Sequence, residues 1–465
     1  MKIDSSGDTI AAIATAVGRG GIGVIRVSGP GTYGIADGLF ESRSGIRLSG
    51  ASPMKALFGR VVRRRNDIPE TLDEVLCIGF RAPRSYTGED VVEFFCHGGR
   101  RVLTNILEEC YRLGARAANP GEFTQRAFLN GKMDLPQAEA VLDLIKADTE
   151  GAFRAARRHL EGKLSAAIRR ERDRIAELLS RIEAVLDFPE ERLDGEVPQR
   201  LGDECRDIAA RIETLVASSR SARILKEGLS VVFAGAPNVG KSSLFNAFLG
   251  CDRVLVSDLP GTTRDSVEAA IELGGIELRL WDTAGLCEDT GLLEAESVRR
   301  SRRMIEEGDL ILFVIDGTRP PQPAEEEAWK SLEGRERILV INKSDLECPG
   351  AEAARNRFTG GPCVAASART DGGLEELKAM LEKQIASWTR WPHEDAWVYT
   401  SRQKELCQRS REYLEKASEA FRQGLSAEFA ASDLRIAMEA LGQLVGEVTT
   451  EDILDLVFSR FCIGK

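Results

Sequence analysis

Histidine is scarce in this chain, three among 465 residues, and no two of its ten cysteines stand in a Cys-x-x-Cys spacing. That leaves no ligand set for a structural zinc site and no paired spacing for a disulfide framework, so the thiols read as reduced core or surface residues. A long apolar run and a secretory signal are lacking too, and the expectation is a cytoplasmic protein with no membrane span. Positive charge is not in excess: 63 lysines and arginines against 74 aspartates and glutamates give a formal net charge of −11. This argues against nonspecific capture of nucleic acid by a basic surface. Local basic clusters do occur, Arg63-Arg64-Arg65 and Arg299-Arg300 with Arg302-Arg303, and a solvated helix face is the form expected for them. Internal repeats and low-complexity segments are absent. A chain of this length has room for about two to four domains with full cores.

What is there is a nucleotide site, written in five short motifs in chain order. Gly235-Ala236-Pro237-Asn238-Val239-Gly240-Lys241-Ser242 follows the apolar run Leu229 to Phe233 and precedes a helical pattern at Leu244, Phe245, Phe248 and Leu249. A phosphate-binding loop needs that strand-loop-helix setting, because backbone N–H groups and a helix N-terminus then face the phosphates. Lys241 is placed to reach the outer phosphates and the Ser242 hydroxyl to bind Mg2+, with Asn238, Val239, Gly240 and Ser243 completing the loop. Pro260-Gly261-Thr262-Thr263-Arg264-Asp265 has the form of a first switch, Thr263 giving Mg2+ its second hydroxyl. Asp282-Thr283-Ala284-Gly285, after the alternation Ile276 to Trp281, has the form of the second. There the aspartate holds the metal through water and the glycine N–H meets the γ-phosphate.

Asn342-Lys343-Ser344-Asp345 follows a strand, Ile338 to Ile341, and selects the base. The Asp345 carboxylate accepts two hydrogen bonds from N1 and the 2-amino group of guanine, whereas adenine's N1 is itself an acceptor and would leave acceptors facing each other. Ser367-Ala368-Arg369 stands ready for the base's O6. The ligand expected is therefore GTP, and an ATP-dependent kinase or motor is the alternative set aside.

The flanks have other patterns. Up to about Gly121 short strands alternate with glycine-rich turns, at Thr9 to Ala14, Gly23 to Val27, Leu76 to Phe80 and Val91 to Phe95, with a helical stretch from Val102 to Cys110. From about Glu122 the apolar period becomes helical, as in the stripe Ile175, Leu178, Leu179, Ile182, Val185 and Leu186. It resumes after Trp388 through Leu434, Met438, Leu441, Leu444 and Val445. The fold class expected is multidomain, α/β plus α. A Ras-like P-loop GTPase domain (223–380) is inserted into a helical domain made of two pieces (122–222 and 381–465), behind an N-terminal α+β domain (1–121). Insertion is tolerated where the ends of a compact domain lie close together at its surface.

The stretch Asn119-Pro120-Gly121-Glu122-Phe123-Thr124-Gln125-Arg126-Ala127-Phe128-Leu129-Asn130-Gly131-Lys132-Met133-Asp134-Leu135, the GTPase insertion and the terminal Phe461-Cys462-Ile463-Gly464-Lys465 resemble the MnmE (TrmE) family of tRNA-modification GTPases over essentially the whole chain. The resemblance implies a folate-binding N-terminal domain similar to glycine-cleavage aminomethyltransferase, a homodimer formed through it, and an FAD protein, MnmG, as partner. It implies addition of an aminomethyl or carboxymethylaminomethyl group to C5 of the wobble uridine of certain tRNAs. It also implies that Arg26, Glu93, Lys132 and Lys465 contact 5-formyltetrahydrofolate or methylenetetrahydrofolate. The set is chemically apt, since a pterin edge offers N–H donors to a carboxylate while basic groups suit carbonyls and a glutamate tail. In its His-Gly-Gly turn, His97 reads as structural at least as readily as catalytic. Cys462 invites a nucleophile hypothesis, but no histidine neighbours it in sequence, and a role in forming the folate or partner surface is preferred.

Where many GTPases carry a water-orienting glutamine, this chain has Leu286, and no glutamine or histidine occurs from Leu229 to Pro320. The resemblance implies K+ instead, bound by Asn238, Ser257, Leu259 and Thr262 within the loop Ser257-Asp258-Leu259-Pro260-Gly261-Thr262-Thr263, as two GTPase domains face each other. Ser257 stands where family members often have threonine, and a hydroxyl remains. Glu294 matches the family's catalytic glutamate, thought to orient the attacking water, and Arg264 is the competing charge within the chain. The alternative function is a regulatory GTPase switch in ribosome or RNA assembly.

Overall fold

A computed structural model describes residues 7–16, 18–65, 68–187, 196–250, 269–283, 302–389 and 396–465. The chain divides into two compact units, one of 1–142, 159–209 and 409–465, the other of 143–158 and 210–408.

The first unit opens with β1 (Ile10–Ile13), β2 (Ile22–Ser28), β3 (Phe40–Ser42), β4 (Ala56–Arg65), β5 (Ile68–Phe80), β6 (Val91–His97) and β7 (Arg116–Ala117). They form one seven-stranded sheet in the order β3-β4-β5-β6-β2-β1-β7, antiparallel except where β7 joins β1. Side chains alternate across a strand, so Ile25 and Val27 with Val92, Phe94 and Cys96 enter a core closed by the helices Thr32–Leu39 and Arg100–Arg112. Burial pushes the Cys96 and Cys110 thiols up to about 12, which leaves them as inert core groups. The opposite face carries Val24, Arg26, Glu93 and Phe95, and leaves Ile22 68%, Phe58 42% and Leu76 46% exposed.

The cluster Arg63-Arg64-Arg65 ends β4 and is not on a helix. Antiparallel pairing with β5 sets Arg63 across from Glu70, and Arg63 pairs with Glu70 and Arg64 with Glu41, each at 2.9 Å. The β4–β5 ladder, with Val61 and Val62 buried, sets the strand, and the cross-strand charge pairs, which a linear reading does not reveal, add to it.

In the same unit, the helix Lys163–Asp187 packs along Ala427–Val445. Ile175, Leu178, Leu179 and Ile182 are buried, as are Leu434, Leu441, Leu444 and Val445, and each large apolar side chain removed from water stabilises by about 1.5–3 kcal/mol. Val185 and Leu186 lie outside the described side chains.

The second unit holds β8 (Leu229–Ala234), β9 (Ala269–Leu273), β10 (Ile276–Asp282), β11 (Leu310–Asp316), β12 (Arg337–Asn342) and β13 (Cys363–Ala365). Their order is β13-β12-β11-β8-β10-β9, and all neighbours are parallel except β9 and β10. A parallel sheet must be covered on both faces. Leu310, Leu312 and Val314 of β11 face a core with Leu244, Phe248, Leu377 and Leu381, while Ile311, Phe313 and Ile315 face Trp329 and Phe358. The acidic stretch from Pro323 begins a helix, Pro323–Ser331, with a capping box between Gln322 and Glu325.

Residues 143–158 belong to this unit as well. The Gly151 N–H donates to the Gly275 carbonyl in the β9–β10 turn at 2.8 Å, and a Cβ on Gly151 would stand 2.6 Å from that oxygen. Lys226 pairs with Asp143 at 2.9 Å, and the Tyr399 hydroxyl donates to the Ala155 carbonyl at 3.1 Å.

Candidate functional site

The carboxyl ends of β8, β10, β11 and β12 meet at one edge of the parallel sheet, the edge where open α/β sheets bind ligands. β8 runs into the glycine-rich loop, where Gly235 has φ 146° and a Cβ would fall 2.2 Å from the Val314 carbonyl oxygen. Gly240 has φ 91°, and its Cβ would fall 2.3 Å from Asn342 Nδ2. Neither position accommodates a side chain. Asn238 adopts φ 63° and is exposed. The helix Lys241–Gly250 starts at the end of the loop, so its unpaired N–H groups point toward an approaching anion. Lys241 is buried, with Nζ donating to the carbonyls of Gly235 (3.1 Å) and Ala236 (2.9 Å). Ser242 and Ser243 are exposed on the first turn.

Asp282 closes β10 opposite Phe233 of β8 and is buried. The Thr283 hydroxyl donates to the Phe233 carbonyl at 2.8 Å, which ties the second switch motif to the strand feeding the phosphate loop. Ser257, Asp258, Leu259, Pro260, Gly261, Thr262, Thr263, Arg264, Ala284, Gly285, Leu286 and Glu294 lie outside the described residues.

At the base end, Asn342 Nδ2 donates to the Val239 carbonyl at 2.9 Å, so the base motif and the phosphate loop brace each other. Lys343, at φ 65°, pairs with Asp316 Oδ2 at 2.6 Å and reaches the Asn238 carbonyl at 3.4 Å. Burial works to raise the Asp316 carboxyl, yet Lys343 and Thr318 together hold it below the usual aspartate range. Asp345 is exposed, and its Oδ1 accepts from the Ser367 hydroxyl at 2.6 Å. That bond holds the carboxyl below its usual range and leaves it an ionised, acceptor-only group. Ser367 Oγ also accepts from the N–H of Arg369 (3.2 Å) and Thr370 (3.3 Å), so Ser367-Ala368-Arg369 and Asn342-Lys343-Ser344-Asp345 form one surface. Asp316 is the part of this site that no motif announces; its sequence signal is an aspartate placed directly after the apolar run of β11.

A second constellation lies in the first unit. Arg26 and Glu93 are direct neighbours across β2 and β6, with Nε donating to Oε1 at 2.8 Å. The guanidinium lies 5.0 Å from the Tyr86 ring centre and 5.6 Å from that of Phe123, and its Nη1 is buried with no hydrogen-bond partner. Lys465 adjoins this pair: burial and then the like charge of Arg26 pull its ammonium below the usual lysine range, against Glu93. The tail reaches this position through Gly464, at φ 98°, where a Cβ would fall 2.2 Å from the Ile13 carbonyl oxygen. Lys132 stands apart, with Nζ donating to the Pro83 carbonyl at 3.1 Å on the loop that carries Tyr86. A buried guanidinium N–H without an acceptor, beside one carboxylate and a second cation, suits a heterocycle with both donors and carbonyl oxygens.

Cys462 is exposed, and its carbonyl accepts from Gly121 N–H at 3.4 Å. Asp73 clasps His97 twice, at Nδ1 (2.6 Å) and at the backbone N–H (2.7 Å), which orients an exposed ring at the end of β6.

Two family profiles match the chain: one described as the MnmE helical domain, over residues 135–462, and one described as the GTP-binding protein TrmE N-terminus, over residues 9–132. The tRNA modification GTPase MnmE of Heliobacterium modesticaldum is 41% identical over 99% of this chain and 100% of its own length. That of Symbiobacterium thermophilum is 42% identical over 98% of this chain and 99% of its own, and that of Bacillus subtilis 38% identical over 98% and 100%. With both halves of its fold matched and full-length relatives at this identity, the chain belongs to the MnmE (TrmE) family of tRNA modification GTPases.

Proposed function

We propose that this chain hydrolyses GTP as a homodimer and, with an FAD-containing MnmG partner, serves tRNA by helping to build an aminomethyl or carboxymethylaminomethyl group on C5 of the wobble uridine, the one-carbon unit coming from a tetrahydrofolate. The observation that carries the GTP reading is the single edge on which the phosphate loop, Asp282, Asn342 and the Ser367-held Asp345 converge. In this reading the loop N–H groups and Lys241 hold the phosphates, Ser242 with Thr263 would hold Mg2+, and Asp282 would reach it through water. Asn238, with Ser257, Leu259 and Thr262, would hold K+, which supplies positive charge between the phosphates as they separate. Glu294 orients the attacking water. Arg26, Glu93 and Lys465 receive the folate, with Lys132 placed toward its tail.

The homodimer reading is supported by the open sheet face with Ile22, Phe58 and Leu76 exposed, an apolar surface of the kind partners cover. The domain boundaries 1–121, 122–222, 223–380 and 381–465 are part of the same proposal, with 143–158 packed on the GTPase sheet. Among the described residues no helix is long and apolar enough to cross a membrane.

Mass analysis of wobble nucleosides from a strain lacking this chain tests the function: the C5-modified uridines should disappear. If they persist, the alternative of an assembly switch takes over. For the hydrolytic step, Glu294→Ala should leave GTP affinity within a few-fold and lower turnover by about 10²–10⁴-fold, the scale of a lost general acid or base. Wild-type turnover in KCl should far exceed that in NaCl at equal ionic strength. Equal slow rates in both salts would break the cation mechanism and direct attention to Arg264.

A further inference from the structure

We propose that Tyr86, with Phe123 on the same guanidinium, is the residue that positions Arg26 for the pterin and so sets folate affinity; this rests on the folate reading above. An arginine on a sheet face has four rotatable bonds, and left to itself its head swings into water. Here the Arg26 side chain is only 14% exposed. Glu93 holds its Nε, and the two aromatic rings, at 5.0 Å and 5.6 Å, hold the rest of the head. Ring faces carry negative charge, so a desolvated guanidinium over them is attracted as well as confined.

The rings are themselves fixed by contacts that do not involve Arg26. Phe123 has no exposed surface. The Tyr86 hydroxyl meets Thr124 Oγ1 at 2.9 Å. The loop on either side of Tyr86 is pinned at Thr87 by Asn130 Nδ2 on its carbonyl (2.8 Å) and by Ser28 Oγ on its hydroxyl (2.8 Å). Lys132 holds the Pro83 carbonyl of the same loop. Glu89, two residues further on, accepts from Ser28 Oγ at 2.7 Å and from Arg126 at 3.1 Å. The guanidinium is thus oriented before any ligand arrives, with buried Nη1 still lacking an acceptor. Preorganisation of this kind raises affinity by removing the cost of ordering the side chain on binding.

The test is titration of the full-length chain with 5-formyltetrahydrofolate, followed by calorimetry. Tyr86→Leu keeps apolar bulk and removes the ring; affinity should fall about tenfold, within the range a desolvated cation–π contact spans. Tyr86→Phe keeps the ring and should stay within about threefold of wild type. Both variants lose the Thr124 hydrogen bond, and Tyr86→Leu also loses ring packing, so some fall in unfolding temperature is expected and circular dichroism checks that each is folded before titration. Should Tyr86→Leu fail to fold, a series Tyr86→Phe with one, two and three ring fluorines preserves shape while draining the ring face, and affinity should decline stepwise. Wild-type affinity in Tyr86→Leu, a flat fluorine series, or equal losses in Tyr86→Phe and Tyr86→Leu would each overturn the positioning role. A wild-type chain that takes up no 5-formyltetrahydrofolate refutes the folate reading itself, and this inference with it.

Discussion

Asp345→Asn should convert the chain from a GTP hydrolase into one that prefers xanthosine triphosphate. In guanine, N1–H and the 2-amino group are both donors, and an ionised carboxylate accepts from both. Asparagine offers one acceptor and one donor, so its amide N–H would face the 2-amino group with nothing to accept it. Xanthine carries a carbonyl at that position, and the amide pairs with it. Sites built on such hydrogen bonds reject the wrong partner by about 10⁴–10⁵-fold at the upper end, and a loss of at least about 10²-fold in kcat/KM for GTP is expected. The structure gives this substitution a well-defined background. Ser367 donates to Asp345 Oδ1 at 2.6 Å and is itself fixed through its backbone N–H on the Gly372 carbonyl at 2.8 Å. The replaced side chain therefore meets a preset partner. Steady-state hydrolysis of GTP and xanthosine triphosphate by the two proteins checks it, and an unchanged preference for GTP would refute the assignment of Asp345 to the base.

The second large effect is expected at Lys241. Its Nζ rests on the Gly235 and Ala236 carbonyls, so an ammonium is held at the mouth of a loop whose glycines leave no space for side chains. Charge that develops on the phosphate oxygens during transfer is stabilised by such a fixed donor without reorganisation, and deleting one typically costs about 10²–10³ in rate. Lys241→Ala should therefore lose turnover on that scale and weaken GTP binding. Lys241→Arg should not restore it, because a planar fork does not reproduce a compact point charge on a flexible stem. Single-turnover hydrolysis combined with nucleotide titration separates the two losses. Normal rates in Lys241→Ala would remove the phosphate loop from the reaction.

How far the site was legible follows from how local each part is. The phosphate loop is made by consecutive backbone groups, so Gly235 to Ser242 could be read directly, and the base motif likewise lies on one turn after one strand. Strand positions were legible from alternation, as at β6, where Val91 to Phe95 is the readable part of Val91–His97. Register was not. Arg26 and Glu93 are 67 residues apart in sequence, and only the pairing of β2 with β6 makes them partners. The family resemblance named them as a set without indicating that one holds the other, or that Lys132 stands off from them on Pro83. Asp316 is in the same position: its pairing with Lys343 depends on the parallel alignment of β11 with β12. The arginines that end β4 give no such signal, because charge density carries no secondary-structure period, and the pairing of β4 with β5 makes the strand.

The meeting of Gly151 with Gly275 constrains how proteins of this architecture can diverge. A GTPase sheet that makes all its contacts within its own stretch of chain can be exchanged for another as a cassette. This one leans, through its β9–β10 turn, on Gly151, which has no space for a side chain and precedes the first strand of the sheet by more than seventy positions. Any incoming hairpin must bring a turn carbonyl to the same place for the Gly151 N–H, and any side chain gained at position 151 must be matched by a shift in the hairpin. A change in either segment must therefore be answered in the other, although the chain places them far apart.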